Sequence, residues 1–157
     1  MALHTMKISF TVPGAPKGKA RPRVTRSGHA YTPKDTVLYE NLVKTSFAAA
    51  YPDHKPLDDA EISAVIYAYY PIPKSASRKR KQMMLEGDIK PITKPDTDNV
   101  AKSILDSLNG IAYSDDSHVT DLTVMKRYSD TPRVFVMLKW QEERSDDLEE
   151  EASGEKL

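Results

Sequence analysis

Ala60–Tyr70 (AEISAVIYAYY) constrains this chain more than any other stretch. Its β-branched and aromatic residues favour extended backbone, and Pro71 ends it. A strand this apolar reads as the centre of a sheet, so it needs partners on both sides. Met6–Val12 (MKISFTV) alternates with strand period and stops at Pro13-Gly14. His118–Tyr128 and Arg133–Trp140 read as two further strands, joined as a hairpin at Asp130-Thr131-Pro132. Helical patterns separate them. Asp35 to Tyr51 places Val37, Leu38, Leu42, Thr45 and Ala49 broadly on one side, and Pro52 ends it. A short basic helix follows from about Ser75 to Leu85. Beyond Asp96, Val100, Ala101, Ile104, Leu105 and Leu108 fall on one arc of a helix that Asn109-Gly110 closes. The expected fold class is α/β (mixed α+β), a single small domain with a mixed sheet flanked by helices.

The chain's 157 residues fit one domain with a modest core. We read residues 1–141 as that domain and residues 142–157 as an acidic, disordered tail. Without cysteine there are no disulfides, thiolate zinc sites or cysteine nucleophiles. No apolar run reaches membrane-spanning length, and MALHTMKISF lacks a signal peptide's apolar core, so the expected location is cytoplasmic.

The formal net charge is zero, but its distribution is uneven. Residues 1–90 carry 15 Lys and Arg against 8 Asp and Glu, while residues 91–157 carry 8 against 15. A basic body with an acidic tail suits a DNA-binding protein, and a solubilising tail on an ordinary domain accounts for the charge equally well.

The acidic residues gather around the helix that follows Asp96. Lys94–Val119 (KPDTDNVAKSILDSLNGIAYSDDSHV) holds Asp96, Asp98, Asp106, Asp115 and Asp116. Asp98, Asn99, Lys102 and Asp106 share the helix's polar arc. Asp96 and Asp98 stand two apart where the chain enters the helix, and in extended backbone both carboxylates can meet one ion. Asp98 is equally suited to capping the helix. Asp115-Asp116 equally suit the turn that begins a strand. A site built of carboxylates favours Mg²⁺, with Mn²⁺ as its substitute, because hard cations take oxygen ligands. Lys102, one turn past Asp98, is placed either to stabilise charge on a phosphate or to form an ordinary surface pair with Asp98.

PDTDNVAKSILDSLNGIAYSDDSHV resembles the signature of the RusA family of Holliday junction resolvases, in which D-x-D-N-x-x-K begins a helix and a D-D pair follows. KGKARPRVTRSGHAYTPKDTVLYE is similar to the N-terminal region of phage and prophage members of that family. The resemblance implies a homodimeric, Mg²⁺-dependent crossover junction endodeoxyribonuclease that resolves four-way DNA junctions by paired symmetric nicks in recombination and repair. It implies neither a membrane partner nor a nucleotide cofactor. Carried over by motif, it makes Asp96, Asp98 and Asp116 the metal ligands and Lys102 the catalytic lysine. Asn99 and Asp115 support them. Asp106 recurs in the motif, with a simple pair to Lys102 one turn before it as the alternative, and His118 stands where a neutral polar residue is expected.

DNA contact is expected from Lys17, Lys19, Arg21, Arg23, Arg26 and Tyr31 on the Gly/Pro-punctuated segment, whose RVTRSGHAYT portion reads as a hairpin turning at Ser27-Gly28. The basic run Lys74 and Arg78–Lys81 is either a second contact or a solvated helix. Two rival functions use the same residues: a non-catalytic junction- or DNA-binding protein, and a metal-dependent nuclease specific for flaps, forks or duplex.

Overall fold

A computed structural model describes residues 2–144. In chain order the elements are β1 (Ala2–Pro13), β2 (Arg23–Val24), β3 (Ala30–Tyr31), α1 (Lys34–Ala50), β4 (Ile62–Pro71), α2 (Arg78–Leu85), α3 (Thr97–Ser107), β5 (Val119–Ser129) and β6 (Arg133–Arg144). Four strands form one sheet in the order β1-β6-β4-β5, and β2 pairs with β3 as a separate short hairpin. The fold is mixed α/β, as its alternating patterns imply.

Strand alternation decides which face is covered. Ile62, Ala64, Ile66, Ala68 and Tyr70 of β4 are buried on the same face as Val134, Val136, Leu138 and Trp140 of β6. Phe10 and Val12 of β1 complete it. α1 packs there through Tyr39, Val43 and Phe47, and the Phe47 ring meets Phe10 edge to face at 5.3 Å. α3 buries Val100, Ala101, Ile104, Leu105 and Leu108, the arc read from its spacing. Each fully buried aliphatic side chain of this size contributes about 1.5–3 kcal/mol, so α3 is held by its packed face. Its polar arc is thereby fixed outward.

The other face of the sheet carries Val65, Tyr67 and Tyr69 of β4 beside Phe135 and Met137 of β6, all half-buried. Tyr67 stacks on Tyr69 at 6.1 Å and approaches Phe135 at 6.4 Å, while the Arg133 guanidinium lies 4.0 Å over the Tyr69 ring.

Four readings change. β5 and β6 are not a hairpin: β4 lies between them, parallel to β5 and antiparallel to β6. The reason is burial, since the most apolar strand gains most from a partner on each side. The first strand starts at Ala2 because residues 2–5, which lack alternation, find partners at 141–144 of β6. β6 accordingly continues through Glu142–Arg144, the first residues of the segment read as a tail, and the remainder of that segment lies outside the described residues. Finally, α1 buries Thr36, Tyr39, Val43 and Phe47, while Val37 and Leu38 are exposed. The two aromatic rings give that face more area to bury. Among the described residues no helix is long and apolar enough to cross a membrane.

Parallel pairing of β4 with β5 requires a crossover, and α2 and α3 supply it. α3 therefore starts near the carboxyl end of β4, where the Tyr70 hydroxyl donates to the Pro95 carbonyl.

Candidate active site

The segment leading into α3 is anchored from below. Lys126 of β5 donates to the Thr93 carbonyl at 2.6 Å, and its ammonium lies 4.8 Å over the Tyr70 ring. With the Tyr70–Pro95 hydrogen bond, these contacts fix how Asp96 meets the helix. Burial, and next the Asp96 charge, push the Tyr70 hydroxyl up to about 12, which keeps it a donor at neutral pH.

Asp96 is the N-cap of α3, yet its side chain makes no capping hydrogen bond; Val100 N–H bonds its carbonyl at 3.0 Å. Asp98 lies in the first turn. Both are exposed, and among the described residues neither forms an ion pair within 4 Å. Capping does not use the Asp96 carboxylate, and the alternative Asp98–Lys102 surface pair does not form. These carboxylates are available.

They line a cavity of 780 Å³ together with Asn99 and Lys102. Lys17, Lys19 and Arg21 also line it, with Lys94 before the start of α3 and Asp35 and Thr36 from the start of α1. Two helix N-termini thus open on one space, and their unpaired N–H groups favour anions. Five cationic side chains reinforce that preference beside three carboxylates. The combination suits a phosphate and a cation held together.

The Asp115–Asp116 pair is built differently. Asp115 caps a single 3₁₀ turn, Asp116–His118, by accepting from Ser117 N–H at 3.0 Å, and hydrogen bonding to Ser117 lowers its pKa. Asp116 does not line the cavity. Partial burial first, then a hydrogen bond with Asp106 and the charges of Asp106 and Asp115, raise its pKa. Asp106 ends the polar arc of α3, about 12 Å along the helix axis from Asp98. Beneath it Tyr113 is fully buried and donates to the Leu105 carbonyl at 2.7 Å; burial and then the Asp116, Asp106 and Asp115 charges hold its hydroxyl protonated.

Among the described residues no three His, Asp or Glu side chains converge as a metal site. The expected set of Asp96, Asp98 and Asp116 is therefore divided: the first two share the cavity, and the third sits with Asp106. The cause is the length of α3 between them. Asp96 and Asp98 alone still fit a hard divalent cation, because Mg²⁺ is commonly held by one or two carboxylates with substrate phosphate and water completing its shell.

The DNA-contact residues also divide. Residues 20–32 are exposed throughout, so Arg21, Arg23, Arg26 and Tyr31 lie on a projecting arm. Its turn closes through Gly28 N–H to the Thr25 carbonyl at 3.0 Å, with the positive φ of 87° that glycine permits. Lys17 is exposed on the cavity wall. Lys19 is different: its ammonium pairs with Asp106 at 2.9 Å and with Glu40 at 3.7 Å. His118 Nε2 lies 3.3 Å from Ser114 Oγ, a contact within its own turn. The sequence reading missed Lys94, Asp35, Thr36, Tyr70 and Lys126. Lys94 had a signal in its adjacency to Asp96; the others reach the site only through long-range packing.

The family model described as Endodeoxyribonuclease RusA matches residues 13–139. The chain is also 39% identical over 139 residues to "Uncharacterized protein YqaN" of Bacillus subtilis (strain 168), covering 84% of this chain and 95% of that protein.

Proposed function

The chain belongs to the RusA endodeoxyribonuclease family, and from that membership we propose that it is a divalent-metal-dependent nuclease that resolves four-way DNA junctions by paired nicks. The observation that carries the reading is the cavity that Asp96 and Asp98, in no ion pair among the described residues, line together with Lys17, Arg21 and Lys102, with two helix N-termini beside them. Asp96 and Asp98 hold Mg²⁺, for which Mn²⁺ substitutes. A cation held by these two carboxylates would supply neutralisation of phosphate charge and a more acidic bound water.

The chain's own groups do the rest. The helix N-termini, Lys17 and Arg21 bind the phosphodiester; the exposed arm extends that contact along the backbone through Arg23 and Arg26, with Tyr31 beside them. Lys102 offers positive charge where negative charge accumulates during hydrolysis, as the P–O bond to the leaving strand breaks and water's oxygen joins the phosphorus. Asn99 steadies the wall of the cavity. Asp116 is the third carboxylate of the reaction. That role rests on the family motif and on its crowding by Asp106 and Asp115, which a nearby cation would relieve.

Among the described residues Asp96 and Asp98 serve a single cavity, and two like-polarity strands must be cut, so the working unit is a twofold homodimer. The half-buried strip of Tyr67, Tyr69, Phe135 and Met137 is the surface that supports a second copy, because aromatic residues and Met are enriched at interfaces. The decisive experiment is cleavage of a mobile four-way junction with and without Mg²⁺, mapped on all strands, beside linear duplex, flap and fork at the same salt. Symmetric Mg²⁺-dependent cuts on the junction are expected. Binding without cleavage would make the protein a junction binder, and equal cutting of the other substrates would remove junction specificity.

A further inference from the structure

The side-chain hydrogen bonds and ion pairs described for the Gly18–Ala20 segment fasten it to two helices. Lys19 N–H donates to Asn99 Oδ1 at 3.2 Å, and Ala20 N–H donates to Thr36 Oγ1 at 3.3 Å. The Lys19 ammonium donates to Asp106 Oδ2 at 2.9 Å and lies 3.7 Å from Glu40 Oε1. It thus ties the segment to both α3 and α1. Gly18 approaches so closely that a Cβ would meet Asn99 Nδ2 at 2.1 Å and Cγ at 2.8 Å, with Pro95 Cβ at 3.2 Å. Proximity, not backbone conformation, is what favours glycine here, because a Cβ would push the Asn99 side chain away from the Lys19 N–H it accepts from.

We propose that Gly18 and Lys19 are positioning residues: they strap the basic arm to α3, so that Lys17 and Arg21 on either side face Asp96 and Asp98. Lys19 is then not a phosphate ligand, although it belongs to the same basic run. Its side chain is 28% exposed and lies between two carboxylates that are 23–24% exposed, so reaching a phosphate means breaking both pairs. The hydrogen bond to Asp106, chiefly, raises its pKa and keeps the ammonium charged. The geometry stands without the nuclease reading; its consequence for DNA rests on that reading.

The two roles for Lys19 predict opposite signs for Asp106→Asn. As a strap, Lys19→Met and Asp106→Asn each loosen the arm and weaken junction binding by about two- to fivefold, the range for a partly exposed pair. The double variant is then no weaker than the worse single one, and Lys19→Arg, which can still pair, restores binding. As a phosphate ligand, Lys19 is released by Asp106→Asn, and binding tightens. Binding is measured in EDTA, so that changes at Asp116 do not enter through metal. Amide hydrogen exchange over residues 17–21 is followed in the DNA-free protein and should quicken in Lys19→Met, Asp106→Asn and Gly18→Ala alike. Tighter binding by Asp106→Asn, additive losses in the double variant, or unchanged exchange would each overturn the strap. If the wild type neither binds nor cuts junctions, the nuclease reading fails, and exchange alone still decides for or against the strap.

Discussion

The two ends of α3 carry similar acidic residues in opposite states. At its start Asp96 and Asp98 are exposed, with no side-chain capping bond at Asp96 and no ion pair to either among the described residues, and they line a cavity with lysines and an arginine. At its end Asp106 is paired with Lys19, Asp115 is used in a turn, and Asp116 is crowded by both carboxylates. Sequence proximity to a motif does not distinguish these groups; availability does. A ligand can engage the first pair without breaking any contact, whereas at the second it must displace one.

The largest effect should come from the open end. Asp96→Asn and Asp98→Asn are each expected to lower cleavage about a thousandfold or more, on the scale of deleting a principal catalytic group, while junction binding is kept or improved. Both should also abolish Mg²⁺ binding to the DNA-free protein, read by calorimetry. Asp116→Asn should match them in cleavage but leave that Mg²⁺ binding intact. Loss of Mg²⁺ binding in Asp116→Asn would break the comparison, because all three aspartates would then form one site. Mixing wild type with Asp96→Asn should yield dimers that nick one strand and rarely resolve the junction.

Lys102 lies between the two ends on the exposed arc. Lys102→Ala should reduce turnover about a hundred- to a thousandfold with little change in affinity, since its charge matters most in the transition state. A proportional fall in affinity and rate would make it a docking contact. The arm should behave in reverse. Arg21→Ala or Arg23→Ala should weaken junction binding and make the slope of log affinity against log salt shallower by about one unit. An unchanged slope would take that residue off the DNA.

Much of the open end was legible because its determinants are local. The apolar arc of α3, its closure at Asn109-Gly110 and the glycine turn of the arm depend on residues a few positions apart. At the closed end the turn at Asp115 was equally legible, but the Lys19–Asp106 pair was not, for the same reason inverted. Lys19 reaches Asp106 across 87 positions, and no local pattern says which lysine of a basic run will find a carboxylate. The β5–β6 connection failed similarly. A turn sequence reports that the chain reverses, but whether a third strand enters between depends on what else must be buried. β4 wins that place through Ile62, Ile66 and Tyr70.

The smallest effect concerns stability, and its sign separates the two ends. A carboxyl whose pKa is raised on folding contributes stability below its unfolded value, near 3.8 for Asp116, and that contribution is lost as pH rises through the folded value. At neutral pH the ionised Asp116 is therefore a slight liability, and asparagine, which cannot ionise, removes it. Asp116→Asn should stabilise the DNA-free protein at pH 7, by no more than about 0.5 kcal/mol for so exposed a site, and leave it unchanged near pH 3. Asp98→Asn should move the other way at pH 7. A carboxylate in the first turn interacts favourably with the helix dipole, and its loss costs about 0.3–1 kcal/mol. Urea unfolding of both variants at the two pH values checks this. Equal gains from both substitutions at pH 7 would show repulsion acting along the whole of α3, and the contrast between its ends would fail.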